Sequence, residues 1–234
     1  MRMSSNPRLV AIVGGSGAGK SWLTDRLQRV FGEKAGRLSL DEFYLDRSHL
    51  SLRHRARINY DHPRTIDWPR VGDFLQDCRA GRACSLPRYD YKTHTRATRS
   101  EIWQPKPLVL MEGLWLLLRP AIRRCFDLTI FIDCPARLRL HRRLTRDTAL
   151  RGRSRVSIQR QFRKMVAPMH ELFVAPQARW ADIILQQPLR DAEVRQLCER
   201  LWALLTANSL YPAWMREIFR TETTALFKPA YLHE

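Results

Sequence analysis

Residues Leu9–Leu23 read LVAIVGGSGAGKSWL: five apolar residues, a glycine cluster, Lys20, Ser21, then an apolar pattern of helical period. The run Gly14-Gly15-Ser16-Gly17-Ala18-Gly19-Lys20-Ser21 satisfies G-x-x-x-x-G-K-[ST] between a predicted strand and a predicted helix. That order is the signature of a phosphate cradle. Glycines let backbone N–H groups turn inward, and the following helix offers its positive end to an anion. The lysine reaches the β- and γ-phosphates, and the serine hydroxyl can ligand Mg²⁺. Alone, this stretch names a nucleoside triphosphate donor and leaves a motor, a switch and a kinase all open.

Outward from the loop, apolar runs alternate with helical periods. Leu9–Val13 is a strand, and Leu23, Leu27, Val30 and Phe31 place one apolar face on the helix that follows. Arg37–Leu40 reads as a short strand. Asp67 caps a helix carrying Val71, Phe74, Leu75 and Cys78, which Gly81 ends. Leu108–Met111 and Leu128–Asp133 read as buried parallel strands. A basic helix covers Ala136–Leu150, and Ser154 to about Ala178 is helical with a kink or break at Pro168. Asp182–Gln186 is the last strand, followed by a helix through Val194, Leu197, Leu201 and Leu205. The alternation predicts an α/β, P-loop NTPase-type, doubly wound parallel sheet with flanking helices. A kinase-sized domain would span residues 1–206, and 207–234 would be an appended helical tail or oligomer contact.

The chain has 234 residues, 44% of them apolar. No apolar run approaches a bilayer-spanning length, and MRMSSNPR lacks a signal core, so a soluble cytoplasmic protein with no membrane partner is expected. Five scattered cysteines without a C-x-x-C pair argue against disulfides or zinc. The net charge of +18 keeps a nucleic-acid-binding P-loop protein in play. Against that reading, the densest arginines coincide with one short segment, about residues 146–157, and no basic–aromatic groove pattern is present.

Two acids follow apolar runs where strand ends should meet the loop. Glu112 follows LVLM and resembles a Walker B acid, a second magnesium anchor beside Ser21. Asp41 follows LSL and can accept a proton from an incoming hydroxyl. Either can instead cap a turn. Asp133 also ends a strand, but it precedes Cys134-Pro135 and reads as a helix start.

The strings LDEFYLD, NYDHP, LPRYDYKTHTR, MEGLWLLL, RRLTRDTALRGRS and PQARWADIIL, in this order and spacing, resemble the uridine (uridine–cytidine) kinase family from about Leu9 to Leu205. The resemblance implies transfer of the γ-phosphate of ATP or GTP to the 5′-hydroxyl of uridine or cytidine, with Mg²⁺. It implies Asp41 as general base, with Ser21 and Glu112 on the metal. Asp61 would bond the ribose hydroxyls with Tyr60 beside the nucleoside. Tyr89 and His94 would meet the pyrimidine edge, Tyr91 would pack on it, and Arg143 would help hold the ribose. Arg146, Arg151 and Arg153 would belong to a small arginine-rich lid, about residues 146–157, closing on the phosphates. Oligomers in the family imply a homo-oligomer here and a small-molecule partner in place of a specific nucleic acid.

Arg137, Arg139 and Arg142 are expected on a solvated helix face, and His54, His62, His141 and His170 are given no role. Departures from the family pattern are Gly17-Ala18 where Ala-Ser is frequent, Leu150 where an acid is usual, and the bulkier Trp115. PQARWADII also resembles phosphoribulokinases, so a kinase of a sugar phosphate or another small alcohol is the alternative.

Overall fold

A computed structural model describes residues 6–206 of the chain, so the 207–234 tail lies outside the described residues. Five parallel strands form the central sheet: β1 (Arg8–Gly14), β2 (Ala35–Ser39), β7 (Leu108–Gly113), β8 (Leu128–Asp133) and β9 (Ile183–Gln186), in the order β2-β7-β1-β8-β9. The strand carrying the glycine loop is therefore central. Its residues alternate between two cores, Leu9, Ala11 and Val13 facing one way and Val10 and Ile12 the other. Both faces being buried is why these strands read as unbroken apolar runs.

Helices α1 (Lys20–Phe31) and α8 (Asp191–Thr206) cover the Val10 face. Their buried residues include Leu23, Leu27, Val30 and Phe31, and Val194, Leu197, Leu201 and Leu205. Helix α3 (Trp68–Arg79) covers the other face through Val71, Phe74, Leu75 and Cys78, and the Asp67 side chain accepts the Arg70 N–H at its start. Short helices α2 (Leu52–Arg55) and α4 (Pro120–Arg123) sit in connections. Two small hairpins rise beside the sheet, β3 (Cys84–Leu86) with β6 (Glu101–Trp103) and β4 (Tyr89–Asp90) with β5 (Thr95–Arg96).

Three local readings are corrected. The second strand ends at Ser39, and Leu40–Phe43 turns as a single tight helical turn that still buries Leu40 and Phe43. Asp133 does not start the basic helix α5 (Ala136–Arg151), whose N-cap is Pro135 with no side-chain cap. Of the kink or break expected at Pro168, the break is absent: the helical path continues after α6 (Arg155–Gln161), disturbed but not interrupted. Wide π-type turns at Phe162–Val166 and His170–Val174 flank α7 (Ala167–Met169), before a last tight turn at Ala175–Trp180. A proline lacks the N–H and crowds the preceding turn, and widened turns take up that misfit.

Candidate active site

The loop forms because its glycines adopt what side chains could not. Gly17 has φ +84°, and a Cβ there would lie 2.6 Å from the Arg139 carbonyl oxygen. The Ala18 N–H donates to the Gly15 carbonyl at 2.9 Å. Gly19 is the N-cap of α1, with no side-chain cap and no acid in the first turn. The first N–H groups of that helix are thus left for an anion. Lys20 Nζ donates to the Gly15 carbonyl at 3.2 Å, across the mouth of the loop. Burial pushes the Lys20 ammonium pKa down, while Glu112 and Asp41 oppose that shift.

The register of the sheet brings the acids to this point. Glu112 on β7 pairs with Ile12 on β1 and with Ser39 on β2. Ser21 Oγ donates to Glu112 Oε1 at 2.6 Å, and Arg37 approaches the same oxygen at 3.5 Å. Arg37 also pairs with Asp25. A hydroxyl beside one carboxylate is a hard oxygen pair suited to Mg²⁺, a cation that takes few protein ligands and fills its shell with water and phosphate. Among the described residues, no group of three or more His, Cys, Asp or Glu side chains forms a protein-only metal cage.

Asp41 lies just past β2, its N–H donating to Ser39 Oγ at 3.2 Å. Its carboxyl pKa is pushed up to about 6, first by burial and then by the negative Glu112, with Lys20 opposing and Asp61 adding. Asp61 is set by a turn in which its N–H donates to Asn59 Oδ1 at 3.0 Å. Burial raises the Asp61 pKa as well, and Arg143 and Arg146 pull it back.

An aromatic box stands next to these carboxylates. Tyr60 and His94 stack at 4.5 Å with an interplanar angle of 11°. Tyr44 meets Tyr60 edge-on at 5.5 Å and donates its hydroxyl hydrogen to the Tyr60 carbonyl at 3.1 Å. Tyr89 lies 5.1 Å from Tyr44 and 5.4 Å from Tyr91, which is exposed. The Tyr89 N–H donates to Glu42 Oε2 at 2.8 Å, anchoring the β4–β5 hairpin to the turn that holds Asp41. His94 has φ +55°, a left-handed backbone uncommon for a non-glycine residue. Its Nδ1 is buried without a hydrogen-bond partner. A left-handed backbone and an unmet polar atom at one residue make His94 a candidate ligand contact.

The arginines gather differently from expectation. Arg139 is 1% exposed: Nε donates to the Cys134 carbonyl at 3.1 Å, and the guanidinium lies over Phe162. Arg142 donates to the Gly17 and Ala18 carbonyls at 3.4 and 3.2 Å and to Gln187 at 2.9 Å. The solvated-face reading of these two is therefore overturned, because α5 crosses the loop, where Arg142 meets loop carbonyls, while Arg139 turns back to the Cys134 carbonyl just before its own helix; Arg137 alone of the three is exposed as expected. Arg143 donates from Nη1 to Ser16 Oγ at 2.6 Å, and Arg143, Arg146 and Arg153 surround the fully buried Asp147. Arg151 closes α5, and its side chain lies outside what the structure describes.

The structure thus brings together Gly14–Ser21, Asp41 and Glu112 at one sheet end, and Tyr60, Tyr89, Tyr91 and His94 in one box. Sequence reasoning missed Asp147, Arg139 and His170. A Cβ on Gly15 would lie 2.8 Å from His170 Nδ1, and burial followed by the nearby Arg139 pushes the His170 pKa down to about 4. The recoverable signal for Asp147 was a lone acid four residues after Arg143 in an arginine-rich helix.

The chain matches the Phosphoribulokinase / Uridine kinase family over residues 9–194. It belongs to that family. It is 41% identical over 183 residues to a uridine kinase of Chloroflexus aggregans, covering 78% of this chain and 88% of that one. It is 38% identical over 184 residues to a uridine kinase of Staphylococcus haemolyticus, covering 78% and 89%. In structure it is similar to phosphoribulokinase from Rhodobacter spheroides, with a TM-score of 0.57, 17% identity and coverage of 78% of this chain and 71% of that one. The protein of this family described here is a nucleotide-binding phosphotransferase, a kinase on the P-loop fold. Among its described residues no helix is long and apolar enough to cross a membrane.

Proposed function

We propose that this kinase transfers the γ-phosphate of ATP or GTP to the 5′-hydroxyl of a pyrimidine nucleoside, turning uridine or cytidine into its monophosphate for pyrimidine salvage. The aromatic box beside two carboxylates with raised pKa values carries this reading. A flat base needs stacked walls and a few edge hydrogen bonds, which Tyr60, Tyr89, Tyr91 and His94 supply. The His94 Nδ1 and the Tyr60 and Tyr89 hydroxyls are buried edge groups without a hydrogen-bond partner. The names of the relatives support the same acceptor.

In this reading Asp61 takes the ribose hydroxyls in charge-assisted hydrogen bonds, with Arg143 steadying the sugar. Asp41 accepts the 5′-hydroxyl proton as the oxygen attacks, a role suited to a carboxyl held near the working pH. The loop N–H groups and Lys20 hold the β- and γ-phosphates. Ser21 and Glu112 would hold Mg²⁺, which when bound neutralises charge on the phosphates. Arg146, Arg151 and Arg153, in a lid of about residues 146–157, neutralise the charge that develops on the phosphoryl oxygens and exclude water. The kinase unit spans residues 1–206; it acts in the cytoplasm as a homo-oligomer on a small molecule.

The deciding experiment is coupled ADP release with uridine, cytidine, ribulose 5-phosphate and glycerate as acceptors. Turnover with either nucleoside is expected. Turnover confined to the sugar phosphate or glycerate, or to none, refutes the nucleoside reading.

A further inference from the structure

One acid is buried among the lid arginines. Asp147 is 0% exposed near the C-terminal end of α5. Arg146 Nε donates to its Oδ1 at 2.8 Å, and Arg143 and Arg153 lie 3.6 and 3.9 Å from its Oδ2. Its backbone carbonyl accepts the Arg153 N–H at 3.2 Å across the left-handed Gly152 that ends the helix. Gln161 adds a second tie, its Oε1 accepting from Arg143 Nη2 at 3.2 Å and from Arg153 Nη1 at 2.7 Å. Arg143 in turn reaches Ser16 of the phosphate loop at 2.6 Å.

The exposures are asymmetric. Arg146 and Arg153 keep 30% and 31% of their side chains open to solvent, while the carboxylate beneath them keeps none. A guanidinium bound through Nε presents its two terminal nitrogens on the opposite edge, free to fork around a phosphate. Three guanidinium charges on one carboxylate also leave the cluster cationic. It is held together without a ligand and still attracts an anion.

We propose that Asp147 is a positioning residue: a buried counter-ion that fixes Arg146 by its Nε and orients it toward the transferred phosphate, with Gln161 coupling Arg153 to the same cluster. The inference rests on the kinase reading above, and Asp147 acts through the arginines without touching substrate. A surface ion pair would contribute little and leave turnover unchanged. An oriented, desolvated one sets how well the arginine meets the transition state.

The test is a double-mutant cycle on the full chain with Asp147→Asn, Arg146→Ala and both together. The readouts are kcat, the KM of donor and acceptor, and folding by thermal denaturation. Asp147→Asn should lower kcat about tenfold or more, the range of one charge-assisted hydrogen bond, with a smaller rise in acceptor KM through Arg143. In the Arg146→Ala background it should lower kcat little further. Losses that multiply in the double variant, or an unchanged kcat in Asp147→Asn, overturn the proposal.

If Asp147→Asn fails to fold, Arg146→Lys replaces it: lysine lacks the Nε–H that Asp147 holds, so kcat should fall nearly as far as in Arg146→Ala, and a near-normal kcat overturns the proposal. Gln161→Ala and Arg153→Ala form a second cycle, in which multiplying losses overturn the Gln161 coupling. Wild-type protein that turns over no nucleoside refutes the acceptor reading instead. The cycles are then read on ADP release with no acceptor added.

Discussion

Asp41 permits the sharpest test, because one environment sets both activity and stability. Its carboxyl pKa stands at about 6, against an ordinary 3.8, through burial and the neighbouring Glu112 and Asp61, with only Lys20 opposing. A base with that pKa is about nine-tenths ionised at pH 7 and about one-tenth ionised at pH 5, so kcat/KM should fall about tenfold between them. An unperturbed carboxylate would lose less than about a tenth over the same interval. The quantity to measure is kcat/KM for the nucleoside by coupled ADP release, since it reports the free enzyme. For stability the sign is opposite to that of a salt-bridged acid. A raised folded-state pKa favours folding at low pH, and that contribution is lost as pH rises from about 4 through about 6. Above that interval the ionised group costs at most about 3 kcal/mol, less what solvent screens. Asp41→Asn should therefore collapse kcat, leave donor affinity nearly unchanged and raise the denaturation midpoint at neutral pH, with the gain vanishing near pH 4. A flat kcat/KM between pH 7 and pH 5 would refute the assignment, and so would an Asn variant with near-normal turnover.

Three further substitutions probe separate parts of the site. Asp61→Ala should raise the nucleoside KM about tenfold or more with a smaller change in kcat, as loss of a charge-assisted bond to the sugar predicts, and steady-state kinetics decide it. Glu112→Gln should raise the Mg²⁺ concentration needed for half-maximal rate by about tenfold, read from a metal titration at fixed donor. Gly17→Ala should abolish donor binding in calorimetry, since φ is +84° and the new Cβ would meet the Arg139 carbonyl at 2.6 Å.

What the sequence disclosed depended on whether a residue's role is local. The loop is local: eight consecutive residues specify it, between a strand and a helix that the same stretch also encodes. The strands were legible because burial on both faces turns them into apolar runs. The second strand was misplaced toward Leu40 because an apolar residue in a tight turn packs into the core as well as one in a strand does. Pro168 signalled a disturbance correctly, but not that π-type turns would carry the helix past it. The aromatic box was reachable only through resemblance, since Tyr44, Tyr60, Tyr89 and His94 come from three separated segments that the hairpin joins.

The arginines show most clearly where one-dimensional reading stops. Six of the 16 residues of Ala136–Arg151 are arginine, and such a run ordinarily marks a solvated face. The distinction between Arg137, which is exposed, and Arg139 two residues on, which is 1% exposed, arises only because α5 passes over the phosphate loop. There Arg139 and Arg142 find the carbonyls of Cys134, Gly17 and Ala18, and Arg143 finds Ser16. Backbone carbonyls carry no side-chain signal, so no composition argument could have located these partners. Part of the +18 charge is thus spent holding the loop in shape, and part is gathered around Asp147 with its outer edge open. A cationic surplus built this way, fixed to the loop and only partly neutralised, is concentrated at one point in the fold beside that loop, which is how arginine's rigid fork differs from a diffuse basic surface.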